Sequence, residues 1–109
     1  MSSIEIDCRT VKGRLDRGDD FLLLDCRQPD EYATAKIEGA VLIPMGELAG
    51  RLAELEPWRQ KSVVVHCHHG GRSLRVALWL KGQGFADVLN LTGGIDEWSQ
   101  QIDPSVPRY

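Results

Sequence analysis

The sequence lacks any apolar run long enough to cross a bilayer, since its longest aliphatic runs, such as Phe21 to Leu24 and Val63 to Val65, are very short. Its first residues, Met1 to Glu5, contain neither a basic region nor an apolar stretch of the signal-peptide kind. It has only three cysteines, an odd number that does not suit a disulfide framework. These absences predict a cytoplasmic protein with no membrane partner.

A surplus of basic charge is also absent. The net charge is −3 and 27% of the residues are charged, so no broad basic surface is expected to bind nucleic acid. Hydrophobic residues make up 42% of the 109 residues, which is typical of a globular domain. We therefore predict a single domain over residues 1–109, with residues 102–109 as an extended tail.

Short apolar runs alternate with segments of helical periodicity along the chain. Five strands are predicted at residues 4–6, 21–24, 40–43, 62–66 and 88–91. Helices are predicted from Asp7 to Gly18, Pro29 to about Tyr32, Gly46 to Leu55, Ser73 to Leu80 and Ile95 to Gln100. This order indicates an α/β fold of three layers, with a mainly parallel five-stranded sheet between helices on both faces.

The residues from Val63 to Ser73 carry the strongest functional signal. A β-branched run predicts a buried strand, after which two glycines let the backbone curl before Ser73, as the predicted N-cap, opens a helix. Cys67 then lies in a tight loop where backbone N–H groups and the positive end of a helix converge, which favours an anion. We therefore predict that the Cys67 thiol has a lowered pKa and acts as a nucleophile.

The predicted sheet points to the same place. Ligand sites in parallel sheets lie beyond the carboxyl ends of the strands. Cys67 follows the carboxyl end of one predicted strand, and Asp25 and Arg27 lie at the carboxyl end of another. The loop and the sheet topology therefore predict an active site at one edge of the sheet.

Several motifs spread along nearly the whole chain occur together in one known family. They are Leu24-Asp25-Cys26-Arg27 with Glu31-Tyr32, Ile37-Glu38-Gly39-Ala40 with Ile43-Pro44, the loop Cys67-His68-His69-Gly70-Gly71-Arg72-Ser73, and Leu91-Thr92-Gly93-Gly94-Ile95 with Trp98. In this combination the sequence resembles a single-domain rhodanese, a member of the sulfurtransferase family. One departure is Lys36, in a position where members often have histidine between glycine and isoleucine.

The resemblance implies a rhodanese-like fold and a persulfide formed on Cys67. It implies a sulfurtransferase that moves sulfane sulfur from a donor such as thiosulfate to cyanide or a thiol, with no metal or organic cofactor. The predicted substrate-binding residues are His68, His69, Gly70, Gly71, Arg72 and Ser73. The predicted supporting residues are Asp25, Arg27 and Glu31. The tail from Asp103 to Tyr109 resembles the end of rhodanese domains fused to adenylyltransferases that pass sulfur to small carrier proteins.

Loop length separates sulfur transfer from the phosphatase and arsenate reductase chemistry found on the same fold. The spacing from Cys67 to Arg72 is C-x4-R, whereas those phosphatases use C-x5-R. Ser73 stands where the longer spacing would require the arginine. A shorter loop suits one terminal sulfur atom rather than a tetrahedral anion, so sulfur transfer is the preferred hypothesis.

Several residues keep more than one interpretation at this point. His68 and His69 either contact the substrate or are exposed loop residues. Arg72 either contacts the substrate or braces the loop through a carboxylate such as Asp25 or Glu31. Cys8 is interpreted as a core residue, and Cys26 as a core residue that also shares the active edge, where it could act as a resolving thiol.

Two alternatives concern the class of protein. The run from His66 to His69 contains metal-ligating residue types, but consecutive residues point in different directions, so we predict no metal site. The domain could also be a non-enzymatic sulfur carrier that a protein persulfide loads and a protein acceptor unloads. Turnover with small donors favours the enzyme, whereas loading only from a partner protein favours the carrier.

Overall fold

A computed structural model describes residues 4–109. The strands are β1 (Glu5–Ile6), β2 (Phe21–Asp25), β3 (Val41–Leu42), β4 (Ser62–His66) and β5 (Asp87–Leu91). They form one sheet in the order β1-β5-β4-β2-β3, and each neighbouring pair is parallel. The predicted α/β fold is confirmed, and the sheet is wholly rather than mainly parallel.

Three α-helices connect strands, and a fourth follows the last strand. They are α1 (Cys8–Arg17), α2 (Pro29–Thr34), α3 (Gly71–Gly82) and α4 (Gly94–Gln101). The start of α1 follows from local chemistry, since the carboxylate of Asp7 accepts a hydrogen bond from the Thr10 N–H at 2.8 Å. Within residues 4–109, no helix combines the length and apolarity needed to span a bilayer.

The predicted helix from Gly46 to Leu55 is wrong in type and in extent. The segment forms two 3-10 stretches, Met45–Glu47 and Ala49–Trp58. Arg51, at φ −119° and ψ 16°, interrupts regular helical geometry. Pro57 does not end the segment, because it is the second residue of a turn closed by the Arg59 N–H and the Glu56 carbonyl, where the fixed φ of proline fits.

The predicted extended tail is also corrected. The chain after α4 contains a turn in which the Val106 N–H donates to the Asp103 carbonyl at 3.0 Å. Val106 is buried, and the Tyr109 hydroxyl beyond it accepts a hydrogen bond from Arg27 at 2.8 Å. An apolar residue in a polar, proline-containing tail anchors the tail to the core.

Alternation along the two central strands gives the sheet two apolar faces. On β4, Val63 and Val65 belong to one core cluster, which α3 and the 3-10 segment cover. Val64 points to the opposite face, where it packs in a second cluster with residues of α1 and α4. Since both faces are buried, these strands read as continuous apolar runs rather than alternating ones.

His66 ends β4 on the second face and is fully buried. Neither ring nitrogen has a hydrogen-bond partner among the described residues, and Nε2 lies 3.8 Å from Oδ2 of Asp25. Burial lowers the pKa of His66 to about 4, with Arg27 adding to the effect and Asp25 opposing it. The imidazole is therefore neutral at physiological pH.

The buried imidazole predicts a loss of stability in mild acid. Unfolded His66 takes up a proton below its usual pKa of 6.5, whereas folded His66 stays neutral down to about pH 4, so falling pH favours the unfolded chain. We expect His66 to account for about 2 kcal/mol of lost unfolding free energy between pH 7 and pH 5. Urea denaturation of wild type and His66→Leu at pH 7 and pH 5 measures this loss, which is expected to be smaller in His66→Leu. Equal losses in the two proteins contradict the prediction.

Candidate active site

The carboxyl ends of β2 and β4 meet at one edge of the sheet. These strands are neighbours with Asp25 opposite His66, and the Cys26 N–H donates to the His66 carbonyl at 3.1 Å. Cys67 therefore leaves β4 beside the residues that leave β2, as the sequence predicts. The Cys67 residue is only 1% exposed at this edge.

The loop after β4 folds its donors onto the Cys67 sulfur. The N–H groups of Gly70 and Ser73 lie 3.1 and 3.4 Å from Sγ, and the Ser73 hydroxyl lies 3.3 Å from it. The predicted N-cap is wrong, because α3 begins at Gly71 and the residue that precedes it is Gly70, at φ +114°. Only glycine adopts that conformation without strain. The earlier start places Ser73 inside the first turn, where both its N–H and its hydroxyl reach the sulfur.

These donors control the ionisation of Cys67. Burial of the thiol raises its pKa, but hydrogen bonds from the Ser73 hydroxyl and from the N–H groups of Ser73, Gly70 and His69 lower it by more. The net effect is a pKa below the ordinary value for cysteine, in the direction that the loop predicted. A thiolate in this position is nucleophilic. Its negative charge is stabilised by hydrogen bonds that the same N–H groups donate to the sulfur.

Asn90 of β5 is a site residue that the sequence reasoning missed. Its amide nitrogen donates to the Gly70 carbonyl at 3.2 Å and to both carboxylate oxygens of Glu5, at 3.1 and 3.0 Å. Its amide oxygen accepts a hydrogen bond from the Ser73 hydroxyl. The signal available in the sequence was a lone amide between apolar residues in the last strand, because a buried amide requires partners.

The start of α4 holds the outer side of the loop. The N–H groups of Ile95 and Asp96 donate to the carbonyls of Cys67 and His68, at 2.9 and 3.1 Å. A Cβ atom on Gly94 would lie 2.6 Å from each of those carbonyl oxygens. Glycine is therefore required at this position for the helix to approach the loop.

Two ion pairs support the site, and the structure assigns a separate partner to each arginine. Arg72 makes a bidentate pair with Glu31, at 2.7 and 2.8 Å, so of the two carboxylates considered for it the contact is with Glu31. Asp25 pairs instead with Arg27, at 2.7 Å, and both side chains are fully buried. Hydrogen bonds from Arg72 are the main reason that the pKa of Glu31 falls to about 2.

Arg27 connects the end of β2 to its surroundings. Besides Asp25, its guanidinium donates to the carbonyls of Ala35 and Glu31, at 2.6 and 3.3 Å, and to the Tyr109 hydroxyl at 2.8 Å. These are structural contacts between the strand end, α2 and the tail. A buried arginine that satisfies several acceptors in this way fixes the positions of the segments that carry them.

The two loop histidines have different environments. The ring of His68 stacks on Tyr109 at 3.9 Å with an interplanar angle of 6°, and on His69 at 3.9 Å. Burial and the neighbouring His69 lower the pKa of His68. The His69 side chain is 66% exposed, with Nδ1 3.9 Å from Oδ2 of Asp96. His68 is thus part of a ring stack, and Tyr109 is a second residue that the sequence reasoning missed.

The other cysteines have the environment of core thiols. Cys26 and Cys8 are buried, and burial is the main cause that raises their pKa values, to about 12 and about 11. Neither is ionised at neutral pH, which disfavours a nucleophilic role. His66 and Cys67 end on opposite faces of the sheet, so the histidine-rich run does not converge on one point.

Comparison with known proteins shows the family of the chain. The family model for the rhodanese-like domain matches residues 7–101. The chain belongs to the rhodanese-like family. It is 37% identical over 102 residues to a sulfurtransferase of Allochromatium vinosum, covering 94% of each protein. It is 36% identical over 99 residues to the putative sulfur carrier protein YrkF of Bacillus subtilis, covering 91% of this chain and 52% of that protein.

Solved structures and longer relatives complete the comparison. A rhodanese-related protein from Thermoplasma volcanium superposes with a TM-score of 0.79 at 28% identity, over 90% of this chain and 92% of that one. Several curated relatives are longer, and the chain spans only 23% to 52% of their length. The rhodanese-like domain therefore occurs both nearly alone and as one part of larger proteins.

The close approach of α4 predicts that Gly94→Ala destabilises this rhodanese-like domain. The new methyl group would overlap the carbonyls of Cys67 and His68, and the backbone at residue 94 has a positive φ. We expect a loss of about 2–4 kcal/mol in unfolding free energy, measured by urea denaturation. Gly71→Ala is the matched control, because its Cβ meets no atom within 4 Å. Equal effects of the two substitutions contradict the prediction.

The hydroxyl contact predicts that Ser73→Ala raises the pKa of Cys67. The substitution removes the Ser73 hydroxyl donor, which makes the largest of the contributions that lower this pKa, and leaves the N–H donors in place. We expect Cys67 to react roughly tenfold more slowly with iodoacetamide at neutral pH, because a hydrogen bond to a charged group is worth roughly 1.5–3 kcal/mol. The pH dependence of alkylation, followed on the Cys67 peptide, measures the shift. An unchanged profile assigns the lowered pKa to the backbone alone.

Proposed function

We propose that this protein is a sulfurtransferase in which Cys67 carries sulfane sulfur as a persulfide. The observation that carries the proposal is the set of N–H and hydroxyl donors from Gly70 and Ser73 around the Cys67 sulfur. Such a cradle stabilises a negative charge on sulfur and needs no residue to remove a proton during the reaction. Relatives named as sulfurtransferases support the same assignment.

In the first half-reaction the Cys67 thiolate attacks the outer sulfur of a sulfane donor such as thiosulfate. A bond forms between Sγ and the outer sulfur, and the bond from that sulfur to the sulfite group breaks. Sulfite leaves with the electron pair, and Cys67 keeps the transferred atom as an anionic persulfide. The loop from His68 to Ser73 binds the donor and then the terminal sulfur, and His69 is the exposed imidazole on its rim.

In the second half-reaction a nucleophile such as cyanide or a thiol attacks the terminal sulfur. The new bond forms to the acceptor, the sulfur–sulfur bond breaks, and Cys67 returns as the thiolate. Donor and acceptor thus bind in turn, which gives ping-pong kinetics. Asp25, Arg27 and Glu31 act by holding the loop and the strand ends, since their carboxylates and guanidinium are engaged with one another and with Arg72.

The short loop supports sulfur transfer over phosphate transfer. Arg72 is occupied by a bidentate pair with Glu31, so it is not available as the guanidinium that a phosphate monoester or arsenate needs opposite the nucleophile. The N–H groups of Gly70 and Ser73 lie within 3.4 Å of Sγ, so they converge on a single atom. A phosphatase or arsenate reductase remains the less favoured alternative.

A sulfur carrier loaded by a protein persulfide is the second candidate. The nearly complete burial of Cys67 supports it, because a partner that opens the site is one way to reach the sulfur. The similarity to a protein named as a putative sulfur carrier supports it as well. In that case the donor or acceptor is a protein rather than a small molecule.

The persulfide predicts a gain of one sulfur atom on Cys67. We expect the intact mass to rise by one sulfur after thiosulfate treatment and removal of the excess, and to return to its original value with cyanide. Cys67→Ala is expected to gain nothing, whereas Cys8→Ala, which removes a buried thiol outside the site, loads as the wild type does.

The same measurement separates the candidates. Loading by thiosulfate with repeated turnover supports the enzyme, and loading only by a protein persulfide supports the carrier. Retained loading in Cys67→Ala rules out Cys67 as the sulfur-carrying residue. Hydrolysis of an aryl phosphate without any loading overturns sulfur transfer in favour of the phosphatase.

A further inference from the structure

The end of the chain lies against the loop that contains Cys67. Val106 is buried, and the Ser99 hydroxyl donates a hydrogen bond to its carbonyl. Arg108 then pairs with Asp96, the nearest atoms being 2.9 Å apart, while the Asp96 N–H binds the His68 carbonyl. We call residues 106–109 the strap.

Tyr109 makes the central contacts of the strap. Its ring stacks on His68 at 3.9 Å in a nearly parallel arrangement. Its hydroxyl accepts a hydrogen bond from Arg27 at 2.8 Å and donates one to Oε2 of Glu31 at 2.9 Å. Glu31 is also the partner of Arg72. Tyr109 therefore contacts the loop after Cys67 at both ends, directly at His68 and through the Glu31 carboxylate at Arg72.

A bulky reagent reaches the sulfur only when part of this rim moves, because Cys67 is only 1% exposed. Backbone hydrogen bonds from Ile95 and Asp96 hold the loop itself. By contrast, residues 107–109 make no backbone-to-backbone hydrogen bond with the rest of residues 4–109. Residues 107–109 of the strap are therefore the part of the rim that can be displaced without breaking a main-chain hydrogen bond.

We propose that Tyr109 is a specificity-determining residue that, by keeping the strap on the rim, leaves the Cys67 sulfur open to small reagents and closed to bulky ones. The biological meaning of this filter rests on the proposed function, because the reagents it selects would be sulfur acceptors. Small acceptors would then react with the strap in place. Larger thiols would react only when the strap is displaced.

Two substitutions separate the ring of Tyr109 from its hydroxyl. Tyr109→Phe keeps the ring that stacks on His68 and removes the hydrogen bonds to Arg27 and Glu31. Tyr109→Ala removes both. Tyr32→Phe is the matched control, because it deletes the hydroxyl of the other tyrosine, whose ring lies 5.4 Å from the Lys36 ammonium group. We expect bulky reagents to reach Cys67 more readily in Tyr109→Phe than in wild type, and most readily in Tyr109→Ala. Their access in Tyr32→Phe is expected to equal that in wild type.

The first test does not depend on sulfur transfer. Cys67 is alkylated with iodoacetamide and, separately, with a dye-sized maleimide, and each rate is taken from the mass of the Cys67 peptide. We expect the ratio of the maleimide rate to the iodoacetamide rate to rise about tenfold in Tyr109→Ala, which loses the ring stack and both hydrogen bonds of the hydroxyl. A smaller rise is expected in Tyr109→Phe, which loses the hydrogen bonds but keeps the ring stack.

Two outcomes overturn the proposal. In one, the ratio is unchanged in both Tyr109 variants. In the other, both rates change in parallel, as expected if the strap only stabilises the loop. Thermal unfolding of each variant shows whether it is folded. If Tyr109→Ala does not fold, the ratio of the maleimide rate to the iodoacetamide rate in Tyr109→Phe tests the proposal.

Turnover provides the second test. Because the half-reactions are separate, kcat/KM for the acceptor reports only the step in which sulfur leaves Cys67. We expect Tyr109→Ala to raise kcat/KM for glutathione, a tripeptide thiol, about tenfold relative to kcat/KM for cyanide and relative to kcat/KM for thiosulfate. Equal kcat/KM changes for all three overturn the filter. If wild type does not load sulfur from thiosulfate, the proposed function with small donors fails, while the alkylation ratio still decides on the strap.

Discussion

The structure depends on the convergence of hydrogen-bond donors on one buried sulfur atom. A thiolate in a nearly closed site is unfavourable unless dipoles replace the lost water, and here the N–H groups of Gly70 and Ser73 do so. Their directions are set by the backbone, so the geometry of residues 67–73 must be kept from relaxing. Much of the surrounding structure serves that requirement, because each neighbouring element binds the loop at a different point.

The loop is held from several directions by elements distant in sequence. The amino end of α4 binds its first carbonyls, Asn90 of β5 binds the Gly70 carbonyl, and Glu31 of α2 holds Arg72. These contacts come from both sides of β4, which lies at the centre of the sheet. A central strand with parallel neighbours can place its carboxyl end among the loops of several others, which is why catalytic loops occur there.

Local pattern was sufficient to predict most of the fold and the place of Cys67 in a loop where hydrogen-bond donors converge. The β-branched run before Cys67, the glycines after it and the helical periodicity that follows are all short-range signals. The start of α3 was misplaced because Ser73 has the side chain of an N-cap, whereas the backbone of Gly70 decides the boundary. Asn90 and Tyr109 were missed for a different reason. Their partners are distant in sequence, so no local pattern shows that they reach the loop.

The Ser73 hydroxyl has one proton and two acceptors within reach, the Cys67 sulfur and the amide oxygen of Asn90. Rotation about a single C–O bond can therefore direct that proton to whichever acceptor carries more negative charge. When charge moves between the Cys67 sulfur and a second atom bound to it, the site can follow the change without displacing its backbone. A hydroxyl rotor next to a rigid cradle keeps the reorganisation energy of such a charge shift small.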